Sequence, residues 1–454
     1  MNSIKLHLMD GGSINHIVDE YTTLYDVIQE LPDSNDFIYH VYIKGQENRV
    51  NINTLINKLY IDKSDLFLLK MNIPDSLKII YNNSSYYTNI HEIYYNSSLF
   101  IYYPCHCFEP LSDLTHLIKI DIRYSHNTDM TQLRPIEYIV NLESLTLTKC
   151  INMSSLDGVQ HIKQIKNLNI LEAPLLIDIS HIECLDKLVY LKLDECHTLT
   201  NISYLKQLTQ LEEIYLFACI NIYNIEALSN LVNLHTIHLY KCISVYDISP
   251  LYNMVNVQDL ILYNDKECII GNMEIISTLI NIKSLKLQCN SNTNDILYRT
   301  QLLGQFKYLE TLELYNCNCL KDIRLPVQLK TLFLYKCNFN SLYNFKHIIG
   351  LQSLIIILDT SILYDYPLSL VMYNLNFIDC FVNLTNLQLE GLYETDILNI
   401  TKLQKLKRVQ LRNCINLKNL DSVKNMNTST EVDIVDCYKL RDDDNTMSFI
   451  RAEE

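Results

Sequence analysis

The chain carries 15 cysteines, and eight of them (Cys150, Cys196, Cys219, Cys242, Cys317, Cys337, Cys414 and Cys437) stand at the same place in a recurring phrase. On neighbouring strands such thiols would form a column with a spacing of about 4.8 Å, and a column of that kind could ligate metal or run redox chemistry. The residues of the other copies argue for a quieter role. Ala173, Asp265, Asn290, Asp359 and Leu392 occupy the matching places, so no complete thiol set is required. Cys105-His106-Cys107 and Cys317-Asn318-Cys319 have C-x-C spacing, but neither has the second half that a zinc site needs. The column is expected to be a buried, weakly hydrogen-bonding filler, and no cofactor is expected. Catalytic signatures are missing too: there is no phosphate loop, no G-x-S-x-G elbow, no H-E-x-x-H and no kinase set. Only 8 glycines in 454 residues supply the tight turns that cradle phosphates. The expectation is a chain that is not an enzyme.

Aromatic residues form the second pattern. The residue directly after each L-x-L triplet is Phe217, Tyr240, Tyr263, Tyr315 or Tyr335 in five of six central copies, with Gln288 as the exception. Neighbouring outward positions add Tyr190, Tyr215, His238 and Phe333. Aromatics are 10% of the chain, so this column is enriched several-fold. Clustered rings on a rigid face are typical of protein-binding hot spots, and these nine residues are the candidate partner-binding site. Alternatively, the rings stack along the sheet and merely cover it. Farther on, Arg408, Gln410 and Arg412 followed by Glu431 and Asp433 read as plain solvated surface.

What positions these residues is a repeat. Its clearest copy is LVNLHTIHLYKCISVYDISPL, residues 231–251, with the core L-x-x-L-x-L-x-x-C. The L-x-L triplets at Leu145, Leu168, Leu191, Ile214, Ile237 and Leu260 follow one another at five consecutive spacings of 23 residues. Further triplets begin at Ile120, Leu285, Leu312, Leu332, Leu354, Leu387, Val409 and Val432, about fourteen in all. A fixed period of this length is the signature of a solenoid. Alternation makes each triplet a short strand with both apolar residues inward and the middle one outward. One such strand cannot bury its face alone, so stacked copies share a parallel sheet and a core. A 23-residue unit leaves little room for a full return helix, which favours 3₁₀ or extended segments. The phrases around Asp178-Ile179-Ser180, Asn201-Ile202-Ser203 and Asp247-Ile248-Ser249 mark tight outer turns.

On these residues the chain resembles the leucine-rich repeat family, and D-I-S-P-L looks most like its short, internalin-type class. The likeness spans roughly residues 114–442 and departs in one place, with Cys where the family's ladder Asn usually bonds backbone between turns. It implies an α/β solenoid, a leucine-rich repeat horseshoe with the parallel sheet on its concave face.

Residues 1–71 do not follow the repeat. Ile4 to Leu8 alternates as a strand, Asp10-Gly11-Gly12 is a hairpin turn, and a second strand runs from Ser13. Thr23-x-x-Asp26 can cap a helix through Leu24, Val27, Ile28 and Leu31; Phe37 to Ile43 and Leu66 to Met71 read as later strands. This order resembles the ubiquitin-like β-grasp fold, a small α+β domain. Residues 72–113 are read as linker and N-terminal cap, and 443–454 as a polar tail.

A net charge of −15 argues against nucleic acid and against anionic membranes, and no run approaches a bilayer span. No small-molecule substrate is expected. The N-terminus lacks the apolar run of a signal peptide, which gives a cytoplasmic expectation. Heavy use of Tyr, Ile and Asn resembles the drift of an AT-rich genome. Three roles follow: a scaffold gripping a protein partner on the concave face, an adaptor of a ubiquitin-type pathway docking through residues 1–71, or an exported adhesin. The missing leader and the thiol count oppose the last.

Overall fold

Each inward leucine of the triplets finds the burial its period demands. In a computed structural model, the described residues are 2–8, 13–18, 37–43, 66–72, 98–101, 117–122, 131–264, 270–288, 300–317, 324–337, 345–358, 378–391, 400–414, 417 and 430–437. The chain divides into two compact units, Met1–Leu188 and Val189–Glu454.

The first unit opens with β1 (Asn2–Leu8), β2 (Ser13–Val18), β3 (Phe37–Ile43) and β4 (Leu66–Asn72). They form a sheet of order β2-β1-β4-β3, in which β1 and β4 run parallel and the outer pairs antiparallel. All four strands lie where the sequence reading placed them; the helix expected over residues 23–31 falls outside the described residues. Then come β5 (Ser98–Ile101), β6 (Lys119–Ile122), β7 (Ser144–Thr148) and β8 (Asn167–Leu171), each parallel to the next. β5 lies in the stretch read as linker and cap, with Leu99 opposite Ile120, and begins the ladder one strand before the first triplet counted.

The second unit holds β9 (Tyr190–Asp194), β10 (Glu213–Phe217), β11 (Thr236–Tyr240), β12 (Asp259–Tyr263), β13 (Ser284–Gln288) and β14 (Thr311–Tyr315). It continues through β15 (Thr331–Tyr335), β16 (Ser353–Ile357), β17 (Asn386–Glu390), β18 (Arg408–Arg412) and β19 (Glu431–Val435). All eleven are parallel and in constant register: Leu216 pairs with Leu239, Leu239 with Leu262, and Leu262 with Leu287. Between strands the described residues carry 3₁₀ turns such as Ser203–Gln207 and Glu226–Asn230, as the short period requires. Irregular spacing is absorbed there. The 27-residue spacing before Leu312 holds a 3₁₀ helix, Thr300–Gln305; within the 33-residue spacing before Leu387, residues 359–377 lie outside the described residues.

Three ties bind one turn to the next. The residue after most strands is left-handed, as at Glu195 (φ 53), Ala218 (φ 50) and Lys241 (φ 58). That flip aims its N–H at the last carbonyl of the next strand: Ala218 N donates to Tyr240 O at 2.7 Å, Glu195 N to Phe217 O at 2.8 Å. The ladder cysteines look the other way. Cys219 Sγ donates to Leu193 O at 3.5 Å and Cys242 Sγ to Leu216 O at 3.2 Å, each an inward residue of the preceding strand. On the return path, Asn233, Asn256 and Asn281 donate to the carbonyls of Thr209, Val232 and Val255 at 2.8 Å each. Among the described residues no group of three His, Cys, Asp or Glu side chains could hold a metal ion. Nor is any helix among them long and apolar enough to cross a membrane.

Candidate functional site

Period-2 geometry turns three residues of each five-residue strand outward, and parallel register lines them up in three rows. Across β9 to β15 the middle row reads Lys192, Tyr215, His238, Ile261, Lys286, Glu313, Phe333. The last row reads Asp194, Phe217, Tyr240, Tyr263, Gln288, Tyr315, Tyr335. Neighbours within a row therefore sit one strand spacing apart, close enough for rings on adjacent strands to touch.

All nine candidate residues, eight aromatics and His238, are brought together on this face, and each is half-buried. Tyr190 lies 5.1 Å from Tyr215, centroid to centroid, and Tyr215 meets His238 edge-on at 4.7 Å. Phe217 contacts Tyr240 at 5.7 Å, and Tyr240 stacks on Tyr263 at 4.8 Å. The chain of rings then crosses β13. Tyr263 and Tyr315 meet edge-on at 4.7 Å although a strand separates them. Gln288, the gap in the column, leaves room for this: its Oε1 accepts the Asn264 backbone N–H at 2.8 Å. Beyond it Tyr315 touches Phe333 at 5.3 Å and Tyr335 at 5.5 Å. The rings do stack along the sheet, and each stays partly exposed.

Charged groups interleave with the rings, and these were not singled out in the sequence. Tyr215 donates to Glu213 Oε2 at 2.6 Å and Tyr315 to Glu313 Oε2 at 3.0 Å, both within an E-x-Y strand phrase that puts the pair on one face. That spacing could have revealed them. His238 Nε2 lies 2.9 Å from Asp259 Oδ2. Lys286 Nζ sits over three rings, 4.6 Å from the Tyr315 centroid, 5.2 Å from Tyr263 and 5.8 Å from Tyr240, and 3.1 Å from Glu313 Oε2. Lys192 Nζ sits 4.8 Å above Phe217 and 3.6 Å from Asp194 Oδ2.

Burial, with the adjacent glutamates, pushes the Tyr215 and Tyr315 hydroxyls well above the ordinary tyrosine range, so both stay protonated donors. Burial likewise raises the Asp194 carboxyl. For Asp259 burial acts upward, but hydrogen bonds from His238 and Ser284 outweigh it and hold the carboxyl below the usual range. None of these groups pairs a nucleophile with a base; the arrangement can stack, donate and accept. Farther along, the polar patch is a set of cross-strand pairs, Arg408 to Glu431 at 3.1 Å and Arg412 to Asp433 at 3.2 Å.

No family model matches the chain, and no curated protein matches it in sequence. Among solved structures, a leucine-rich repeat protein of Leptospira interrogans is similar with a TM-score of 0.51 and 17% identity, covering 80% of this chain and 98% of that one. An internalin of Listeria monocytogenes gives a TM-score of 0.42 and 18% identity, covering 68% of this chain and 81% of that one. The repeated phrase, the parallel ladder in constant register and the likeness to the Leptospira structure together establish that this chain has the leucine-rich repeat fold.

Proposed function

We propose that the chain is a non-catalytic scaffold and that the outward face of β9 to β15 docks a protein partner. One observation carries this reading: the unbroken ring chain from Tyr190 to Tyr335, partly exposed over its whole length and held on a parallel ladder. Rigid aromatic side chains offer large contact area for little lost rotamer freedom, which is why they concentrate binding energy. The thiols under this face and the Tyr215 and Tyr315 hydroxyls on it have structural partners, and the site's chemistry is that of recognition. The ten cysteines among the described residues are thiols outside any disulfide, which supports a reducing, cytoplasmic setting.

The test is the joint substitution Tyr240→Ala, Tyr263→Ala and Tyr315→Ala, followed by affinity capture from the native cell type. Loss of the partner at unchanged yield and unchanged circular dichroism is expected. Undiminished recovery removes the aromatic face from the reading.

A further inference from the structure

Resting on that reading, we infer that the docking face selects a polypeptide segment bearing arginine, whose guanidinium groups lie on the tyrosine rings beside the face's own carboxylates. The three rings of Tyr240, Tyr263 and Tyr315 converge on one ammonium, that of Lys286, within 5.8 Å of every centroid. This is the arrangement by which aromatic side chains recognise cations, through the negative face of each ring. The molecule fills it with a cation of its own. Lys286 is only 20% exposed at the side chain and is held by Glu313 at 3.1 Å. A second ammonium, Lys192, repeats the motif over Phe217 at 4.8 Å. Twice, then, the face places a positive charge over rings and a carboxylate next to it.

Charge favours the same ligand. Outward residues of β9 to β15 include four carboxylates (Asp194, Glu213, Asp259 and Glu313) against the two lysines, on a chain of net charge −15. A guanidinium suits the site better than an ammonium. It is planar, so it can lie flat on a ring and still present its edge to a carboxylate. Tyr215 with Glu213 at 2.6 Å, and Tyr315 with Glu313 at 3.0 Å, offer ring and carboxylate side by side. Lys286 thus acts as an internal stand-in that an incoming arginine displaces from the rings.

The experiment measures binding of fluorescein-labelled octa-arginine to the full chain by anisotropy, with octa-glutamate and a Gly-Ser octamer as comparisons. Octa-arginine is expected to bind and the others not. Tyr240→Leu, Tyr263→Leu and Tyr315→Leu together keep the net charge and the apolar bulk, and should weaken binding at least tenfold. Tyr263→Phe keeps the ring and should stay within twofold. Lys286→Met empties the cage and should tighten binding several-fold, whereas Lys330→Met, which removes a lysine paired with Glu310 off the face, should match only the small gain of one lost charge. Equal binding by the leucine variant means attraction by bulk charge alone and overturns the proposal; so does octa-glutamate binding, or weaker binding by Lys286→Met. If partner capture depends on the tyrosines while octa-arginine ignores them, the docking face stands and the arginine preference falls. Should the leucine variant fail to fold, the Lys286→Met and Lys330→Met comparison decides alone.

Discussion

At the scale of single residues, the thiol column shows how a side chain that looks reactive can be built into the packing. Cys196, Cys219, Cys242, Cys317 and Cys337 are buried, and most donate to a carbonyl of the preceding or the same turn. The neighbouring Cys219 thiol, together with burial, pushes Cys196 well above the ordinary thiol range, and burial does the same for Cys242. Thiolate is the reactive form, so these positions should resist alkylation in the native state. Cys184 differs, being exposed. Titration with a chromogenic disulfide reagent should modify Cys184 rapidly, and the buried ladder thiols of the described residues only on unfolding. Fast modification of Cys219 would mean that the ladder opens more readily than its packing allows. Cys219→Ala should cost about 1–2 kcal/mol, read from the denaturation midpoint, through a small cavity and a weak lost hydrogen bond.

At the scale of elements, the turns at either end of each strand carry the local strain and the local charge. A left-handed residue with a Cβ costs on the order of 1 kcal/mol, and the forward N–H bond offsets it. Ala218→Gly keeps that bond without the Cβ and should raise stability by roughly 0.5–1 kcal/mol in chemical denaturation. Gly158 is the opposite case. Its φ is 107, and an added Cβ would meet the Leu133 carbonyl oxygen at 2.7 Å, so Gly158→Ala should destabilise by more than about 2 kcal/mol. The outer turns open with a carboxylate: Asp178 and Asp247 accept the N–H of Ser180 and Ser249 at 2.8 Å each. The Ser180 N–H holds Asp178 below the usual carboxylate range, and Asn272 with Ser249 does so for Asp247. Because the folded values are depressed, this stability is fully present above about pH 4 and lost as pH falls through them. Asn201 and Asn224 make the same turn without a charge, at 2.9 Å and 2.7 Å. The double variant Asp178→Asn/Asp247→Asn should therefore show a flatter decline in an acid titration followed by circular dichroism. An unchanged acid slope would assign the loss to other groups.

At the scale of the whole molecule, much was legible because the repeat states its own period. Fourteen triplets announced fourteen strands, β6 to β19, and the alternation of Ile4 to Leu8 and Phe37 to Ile43 announced two of the strands in residues 1–71. β5 was missed because Leu99-Phe100-Ile101 stands in a Tyr-, Asn- and Ser-rich stretch without the rest of the phrase. The aromatic row was legible for the same reason as the strands, since register turns a column of letters into a column of neighbours. Lys286 was not. It is one of two lysines, with Lys192, in a middle row that otherwise changes from turn to turn, and only the leaning of Tyr263 and Tyr315 across Gln288 converts it into the centre of a cage. Likewise, the donations from Asn233, Asn256 and Asn281 are spread over residues 24 to 26 positions apart, invisible until the turns are stacked.

The constant register has a practical outcome for variation. Triplets separated by 20, 23, 27 or 33 residues still pair with their inward residues opposite, as Leu312 with Leu332 and Leu354 with Leu387 show. Length differences are therefore shed into the connections and never reach the strands. Three letters per strand can be rewritten, each at a known address, without disturbing the inward residues or the pairing of the strands. A lineage, or an engineer, can exchange the ligand of such a molecule while inheriting its architecture intact.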